Sequence, residues 1–182
     1  MTESMARFDS LASGVAREFE AIRQRNRGSM QCREGCADCC RCRLSITRVE
    51  EAYLREGLKR LPLSVRLELK ARATTEIHAN EMCPALDANG CCQIYEWRPL
   101  ICRSHGVPLR YRHPVPLIHP SRIDVCEKNF TEVSTKSVPI EDVLDQTSLT
   151  GELAEIDAEY CDEHELPCGE KVPLAHILAE CV

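Results

Sequence analysis

From Cys32 to Arg43 the chain reads CREGCADCCRCR, five cysteines in twelve positions with no large apolar side chain among them. Such a stretch cannot order itself by burying surface. Disulfides, metal–thiolate bonds or redox chemistry must account for it. The chain has thirteen cysteines, an odd number, so a fully paired disulfide framework within one chain is impossible. Its first residues, MTESMARFDSLASGVAREFEAI, lack the basic start and apolar block of a secretory signal. A cytoplasmic location is therefore expected, where thiols stay reduced and cysteine clusters mean metal or redox chemistry. The formal charge of −6 argues against a nucleic-acid partner. No apolar run approaches the roughly eighteen residues that would span a bilayer, so no membrane partner is expected.

The rest of the chain reads mainly as helix. Met5, Phe8, Leu11, Ala12, Val15, Phe19 and Ile22 recur at steps of three and four, which predicts an amphipathic helix ending near Gly28. Its apolar stripe reads as core packing. Docking to a protein partner is the other reading, and no residue identifies one. Thr47 and Glu50 have capping-box spacing and open a second helix with Val49, Tyr53 and Leu54 on its buried face. Pro62 ends it, and Ser64 caps a third helix through about Asn80, on which His78 reads as a surface or packing residue. Asn89-Gly90 marks a turn between two extended pieces, Cys83–Leu86 and Cys92–Tyr95. Pro99 suits the first turn of a short helix carrying Leu100, Cys102 and Arg103.

The four-proline segment GVPLRYRHPVPLIHPSRID predicts an ordered loop wrapping the core. Further helices are expected at Ile140–Gln146, Leu149–Cys161 and Leu174–Cys181. The expected fold is mainly α, a single domain over residues 1–182. An irregular cysteine-rich metal-binding centre with a small β-hairpin, at about 30–126, would be surrounded by helices. A helical C-terminal extension would follow at about 139–182.

Ten of the thirteen cysteines lie between residues 32 and 126. One group is Cys32, Cys36, Cys39, Cys40 and Cys42; the other is Cys83, Cys91, Cys92 and Cys102, with Cys126 beyond. Two helices fill the gap and can fold back to bring the groups together. Zinc and iron–sulfur clusters both take thiolates, commonly four per centre. Cys39 and Cys40 are adjacent, so their side chains diverge and serve two metals more readily than one tetrahedral site. More than one metal ion follows. Converging thiolates repel one another, and a divalent ion held by four of them is still a negatively charged site. Arg33, Arg41, Arg43, Arg98 and Arg103 stand in or beside the cysteine blocks, where they can offset that charge and donate to sulfur. Solvated surface arginines are the alternative; for Arg98, between a tryptophan and a proline, the structural role is preferred.

The pattern C-x3-C-x2-C-C at Cys32, Cys36, Cys39 and Cys40, followed by CPALDANGCCQIYEWRPLICR, resembles the bacterial cysteine-cluster family named for zinc or iron chelation. Cys83, Cys92, Ile94, Tyr95, Arg98, Pro99, Cys102 and Arg103 fit that family's order, and the likeness covers roughly residues 30–105. It implies that Cys32, Cys36, Cys39, Cys40, Cys83, Cys92 and Cys102 are metal ligands. Cys126, in DVCEKNF, is the candidate eighth. Cys42 and Cys91 fall outside the pattern and read as additions.

Other chemistries compete with this reading. Cys32-x3-Cys36-x2-Cys39 has the spacing of radical S-adenosylmethionine enzymes, but the helices and proline-rich segment that follow do not suit their βα-repeating barrel. A Cys102–His105 nucleophile pair is set aside in favour of a histidine at a helix end. The C-terminal Cys161, His164, Cys168, His176 and Cys181 match no common zinc spacing and read as free thiols among helices. The carboxylates of EIDAEYCDEHE read as a solvated acidic face. Two functions stand. The first is a protein that chelates, stores or delivers metal through a polynuclear cysteine-ligated zinc centre. The second is an enzyme or redox protein with iron or a 4Fe–4S cluster, for example one related to methyl transfer. Zinc is placed ahead, because the usual iron–sulfur runs end in a Cys-Pro that is absent after Cys40.

Overall fold

A computed structural model describes residues 2–76, 82–112 and 121–182. Among them are six α-helices, α1 (Glu3–Arg25), α2 (Arg48–Leu58), α3 (Leu63–Glu76), α4 (Leu100–Ser104), α5 (Gln146–Glu163) and α6 (Leu174–Ala179). Five short strands accompany them: β1 (Ser45–Ile46), β2 (Leu109–Tyr111), β3 (Arg122–Asp124), β4 (Leu144–Asp145) and β5 (Val172–Pro173). The chain is therefore mainly α, as its periodicity predicts. Among the described residues no helix is long and apolar enough to cross a membrane.

The chain divides into two compact units. The first holds Met1–Asp9, Arg33–Pro99 and Ile156–Val182. Its core joins α2, α3 and α6 through Leu54, Leu58, Leu69, Ala73, Leu174, Ile177 and Leu178, together with Ile46, Ala85 and Ile94. Full burial of each leucine or isoleucine contributes about 1.5–3 kcal/mol against leaving it in water. Cys83 and Cys92 pack against this same core, half-buried. The capping box at the start of α2 forms as expected, with the Thr47 amide donating to Glu50 at 3.0 Å. A second orphan amide of that helix end, Val49, donates to the buried Asp157 at 2.9 Å. The antiparallel pair β1–β5 ties the start of α2 to the start of α6.

The second unit holds Ser10–Cys32 and Leu100–Glu155. Its three-stranded sheet has the order β3-β2-β4, antiparallel between β2 and β3 and parallel between β2 and β4. Leu11, Ala12, Val15 and Ile22 of α1 are buried here, with Leu100, Val107, Leu109, Phe130 and Leu144. Ser104 and Gln146 share a buried hydrogen bond of 2.8 Å.

Several sequence expectations change. Part of the proline-rich segment is strand: Leu109–Tyr111 and Arg122–Asp124 pair across it, while residues 113–120 lie outside the described residues. The helix expected at Leu149–Cys161 lies within α5, but the one expected at Ile140–Gln146 is instead a 3-10 turn at Ile140–Asp142 followed by β4. Leu144 is recruited into the sheet beside Leu109, and that pairing overrides its local helical pattern. The predicted hairpin contracts to a single bridge, Leu86 opposite Cys92, because Tyr95–Trp97 coil into a 3-10 turn. The third helix begins at Leu63, one residue before the expected cap; His78 and the end at Asn80 lie outside the described residues.

That 3-10 turn presses Trp97 against α2 at Gly57. A Cβ built on Gly57 would stand 2.1 Å from Trp97 Cγ. Helix propensity alone favours alanine over glycine by about 1 kcal/mol, whereas overpacking costs about 1–3 kcal/mol. Gly57→Ala should therefore lower stability in a urea titration; a rise would show that Trp97 yields freely.

Candidate metal centre

In the first unit, the segment after Arg33 has no apolar anchor, and its 3-10 turn Asp38–Cys40 buries no residue. Backbone contacts hold it instead. The Cys83 amide donates to the Cys40 carbonyl at 2.8 Å, joining the two cysteine blocks directly. The turn at Asn89-Gly90 is built by the Asp87 carboxylate, which accepts from the Asn89 and Cys91 amides at 2.9 and 2.8 Å. Gly90 takes a φ of +78°, and a Cβ there would meet the Gly35 carbonyl at 3.2 Å. The cysteine loop and the turn thus touch backbone to backbone.

The surroundings of Cys39 draw its thiol toward the thiolate. A hydrogen bond from Cys40 draws it down to about 6, against desolvation and Asp38, with Arg98 assisting. Near neutral pH it is mainly thiolate, the form that binds metal. Desolvation pushes Cys92 up, while Arg98 opposes and the charge of Cys39 adds to the rise. Arg98 therefore serves two thiols. Its guanidinium lies 3.7 Å from the Tyr95 ring centre, a cation–π contact that fixes it there. The other loop arginines, Arg33, Arg41 and Arg43, are exposed and belong to the solvated face.

The thiols outside the family pattern stand in less favourable fields. Cys91 is raised by desolvation and then by the carboxylates of Asp87 and Glu34. Cys42 is exposed, lies 3.6 Å from the Cys39 carbonyl, and is raised by desolvation and by the charge of Cys39. Cys36 is half-buried at the turn closed by its amide to Arg33 at 3.0 Å.

The second unit holds Cys32, Cys102 and Cys126. Cys32 Sγ accepts from Asn129 Nδ2 at 3.2 Å. Asn129 is buried and fully engaged: Nδ2 also donates to the Gly106 carbonyl at 2.6 Å, and Oδ1 accepts from the Gln31 amide at 2.7 Å. Its own amide donates to the Cys126 carbonyl at 2.8 Å, so one asparagine links the two cysteines. Next to it Phe130 holds a left-handed φ of 55° while its amide donates to Ser29 at 2.7 Å. Gly106 has a φ of +117°, and a Cβ there would lie 2.9 Å from Cys32 Sγ. Asn129 and Gly106 carry no motif that would single them out in the sequence. Cys102 is exposed on α4, and His105 follows that helix, its amide donating to Ile101 at 3.0 Å.

Of the C-terminal set, Cys181 donates to the Arg66 carbonyl at 3.2 Å, and the His164 ring tilts against Tyr160 with centres 4.3 Å apart. Among the described residues no three or more His, Cys, Asp or Glu side chains are gathered closely enough to hold one ion. Cys39 and Cys40 do not diverge as their adjacency predicts; their thiols share a hydrogen bond.

The pair makes a specific prediction. In the reduced, metal-free chain, iodoacetamide labelling of Cys39 should rise with pH through a midpoint near 6. Cys40→Ala removes the donor and should move that midpoint upward; an unmoved profile would assign the shift elsewhere.

No curated protein and no solved structure matches the chain. Residues 31–115 match the CxxCxxCC family, whose description is "Putative zinc- or iron-chelating domain". The match spans Cys32 through Cys102, including the hairpin turn and the Tyr95–Arg98 pair. Over residues 31–115, then, the chain is similar to the CxxCxxCC family.

Proposed function

We propose that this protein binds zinc or iron through its cysteine thiolates, with zinc ahead, and serves to chelate, store or deliver the metal through a polynuclear centre. One observation carries the reading: Cys39, already mainly thiolate near neutral pH, sits beside Cys40 and under the charge of Arg98. The candidate ligands in the first unit are Cys36, Cys39, Cys40, Cys83 and Cys92; those in the second are Cys32, Cys102 and Cys126. The donor chemistry fits. Thiolates suit zinc and iron–sulfur centres alike, and Cys32 already has the kind of outer hydrogen bond, from Asn129, that orients a ligand. A bound ion would supply the cross-link that the apolar-poor loop lacks.

Anaerobic purification with elemental analysis and an absorption spectrum tests the metal. Colourless protein with zinc above one equivalent per chain is expected. Brown protein with labile sulfide would transfer the reading to an iron–sulfur enzyme or redox protein. Metal content then tests the ligands. Cys39→Ser and Cys40→Ser should each lose close to one equivalent, or the whole centre if its metals share bridging sulfurs. Cys42→Ser and Cys91→Ser should keep the full complement. Loss in Cys42→Ser with retention in Cys39→Ser would overturn the assignment.

A further inference from the structure

Beyond the family match, α5 ends in a way that brings two further cysteines together. Glu165 holds a left-handed φ of 54°. The Leu166 amide closes on the Cys161 carbonyl at 2.9 Å, and the Glu165 amide on Asp162 at 3.3 Å. These are the two bonds of a Schellman ending, here with glutamate where glycine is usual. The returning chain lays Cys168 along the last turns of the helix. Its thiol points at the Ala158 carbonyl, 3.9 Å away, and the Cys161 thiol points at the Pro167 carbonyl, 3.8 Å away. Each sulfur reaches the backbone beside the other, and the two thiols share a hydrogen bond. Their exposure is opposite: Cys161 is 0% exposed, whereas Cys168 is open to solvent.

We propose that Cys161 and Cys168 form an oxidant-responsive dithiol that reacts with hydrogen peroxide and closes into a disulfide across the end of α5. The Cys168 sulfur attacks the peroxide. An S–O bond forms, the O–O bond breaks, and the departing hydroxide leaves as water with the thiol proton. The Cys161 sulfur then attacks the sulfenic sulfur. The S–S bond forms, the S–O bond breaks, and a second water leaves with the Cys161 proton. Two thiols give up two electrons, and one peroxide becomes two waters. The order follows from access. Burial first, then Asp157 and the bond with Cys168, hold the Cys161 thiol up to about 11. It stays protonated and shielded while Cys168 meets the oxidant. Both cysteines lie outside residues 31–115, so this chemistry stands apart from metal binding.

The sequence supplies a clean readout. No lysine or arginine lies between Lys136 and Lys171, so trypsin releases residues 137–171 with these two cysteines and no others. The full reduced chain is treated with a graded excess of hydrogen peroxide, denatured in excess N-ethylmaleimide, digested and weighed. The peptide should appear two hydrogens lighter and unalkylated, and should become doubly alkylated after dithiothreitol. Cys161→Ser should instead leave a sulfenic acid on Cys168 that dimedone traps. Cys168→Ser, at an exposed position that does not threaten folding, should leave Cys161 unoxidised. A peptide that stays doubly alkylated, or a Cys168 bonded to any other cysteine, overturns the proposal.

Discussion

The hydrogen bond from the Cys83 amide to the Cys40 carbonyl, 2.8 Å long, joins a loop that cannot fold by burial to a turn that can. Ala85 and Ile94, on either side of the turn, are buried among Leu54, Leu69 and Ile177. The core therefore sets the turn, the turn sets the loop by backbone contact, and the loop carries the thiols. Such an arrangement tolerates a cysteine-rich segment because its order is borrowed. It also leaves little room at the contact, where Gly90 stands against the Gly35 carbonyl.

In the second unit the same problem is solved by a side chain. A buried asparagine must satisfy both of its polar ends, since each orphaned group would cost about 1–3 kcal/mol. Asn129 does so by bonding to Gly106, Gln31 and Cys32 at once. The Cys32 sulfur thereby gains an amide donor, whereas Cys39 has a thiol donor with Arg98 assisting. Two thiols of one motif block are thus tuned by different means.

Much of this was legible in the sequence. The stripe from Met5 to Ile22 and the Thr47–Glu50 box signal through local spacing, and each appears where that spacing predicts. What was not legible depends on distant partners. Leu144 is a strand residue only because Leu109 lies beside it, and β1 and β5 are two-residue pairs with no periodicity to read. Asn129 looks like any polar loop residue until Cys32, nearly a hundred positions earlier, comes to rest on its amide. Arg98, between Trp97 and Pro99, is the arginine for which the sequence favours a structural role, and it is half-buried against Tyr95; the exposed Arg33, Arg41 and Arg43 share its chemistry but lie in solvent.

Metal coordination leaves a chemical trace that separates ligands from bystanders. Differential alkylation, with mass-resolved labelling of the chain before and after zinc is added anaerobically, reads that trace residue by residue. Cys36, Cys39, Cys40, Cys83 and Cys92 should become protected, and Cys32, Cys102 and Cys126 with them, while Cys42 and Cys91 stay as reactive as before. Equal labelling of Cys39 and Cys40 with and without metal, or protection centred on Cys42 and Cys91, would contradict thiolate binding at these positions.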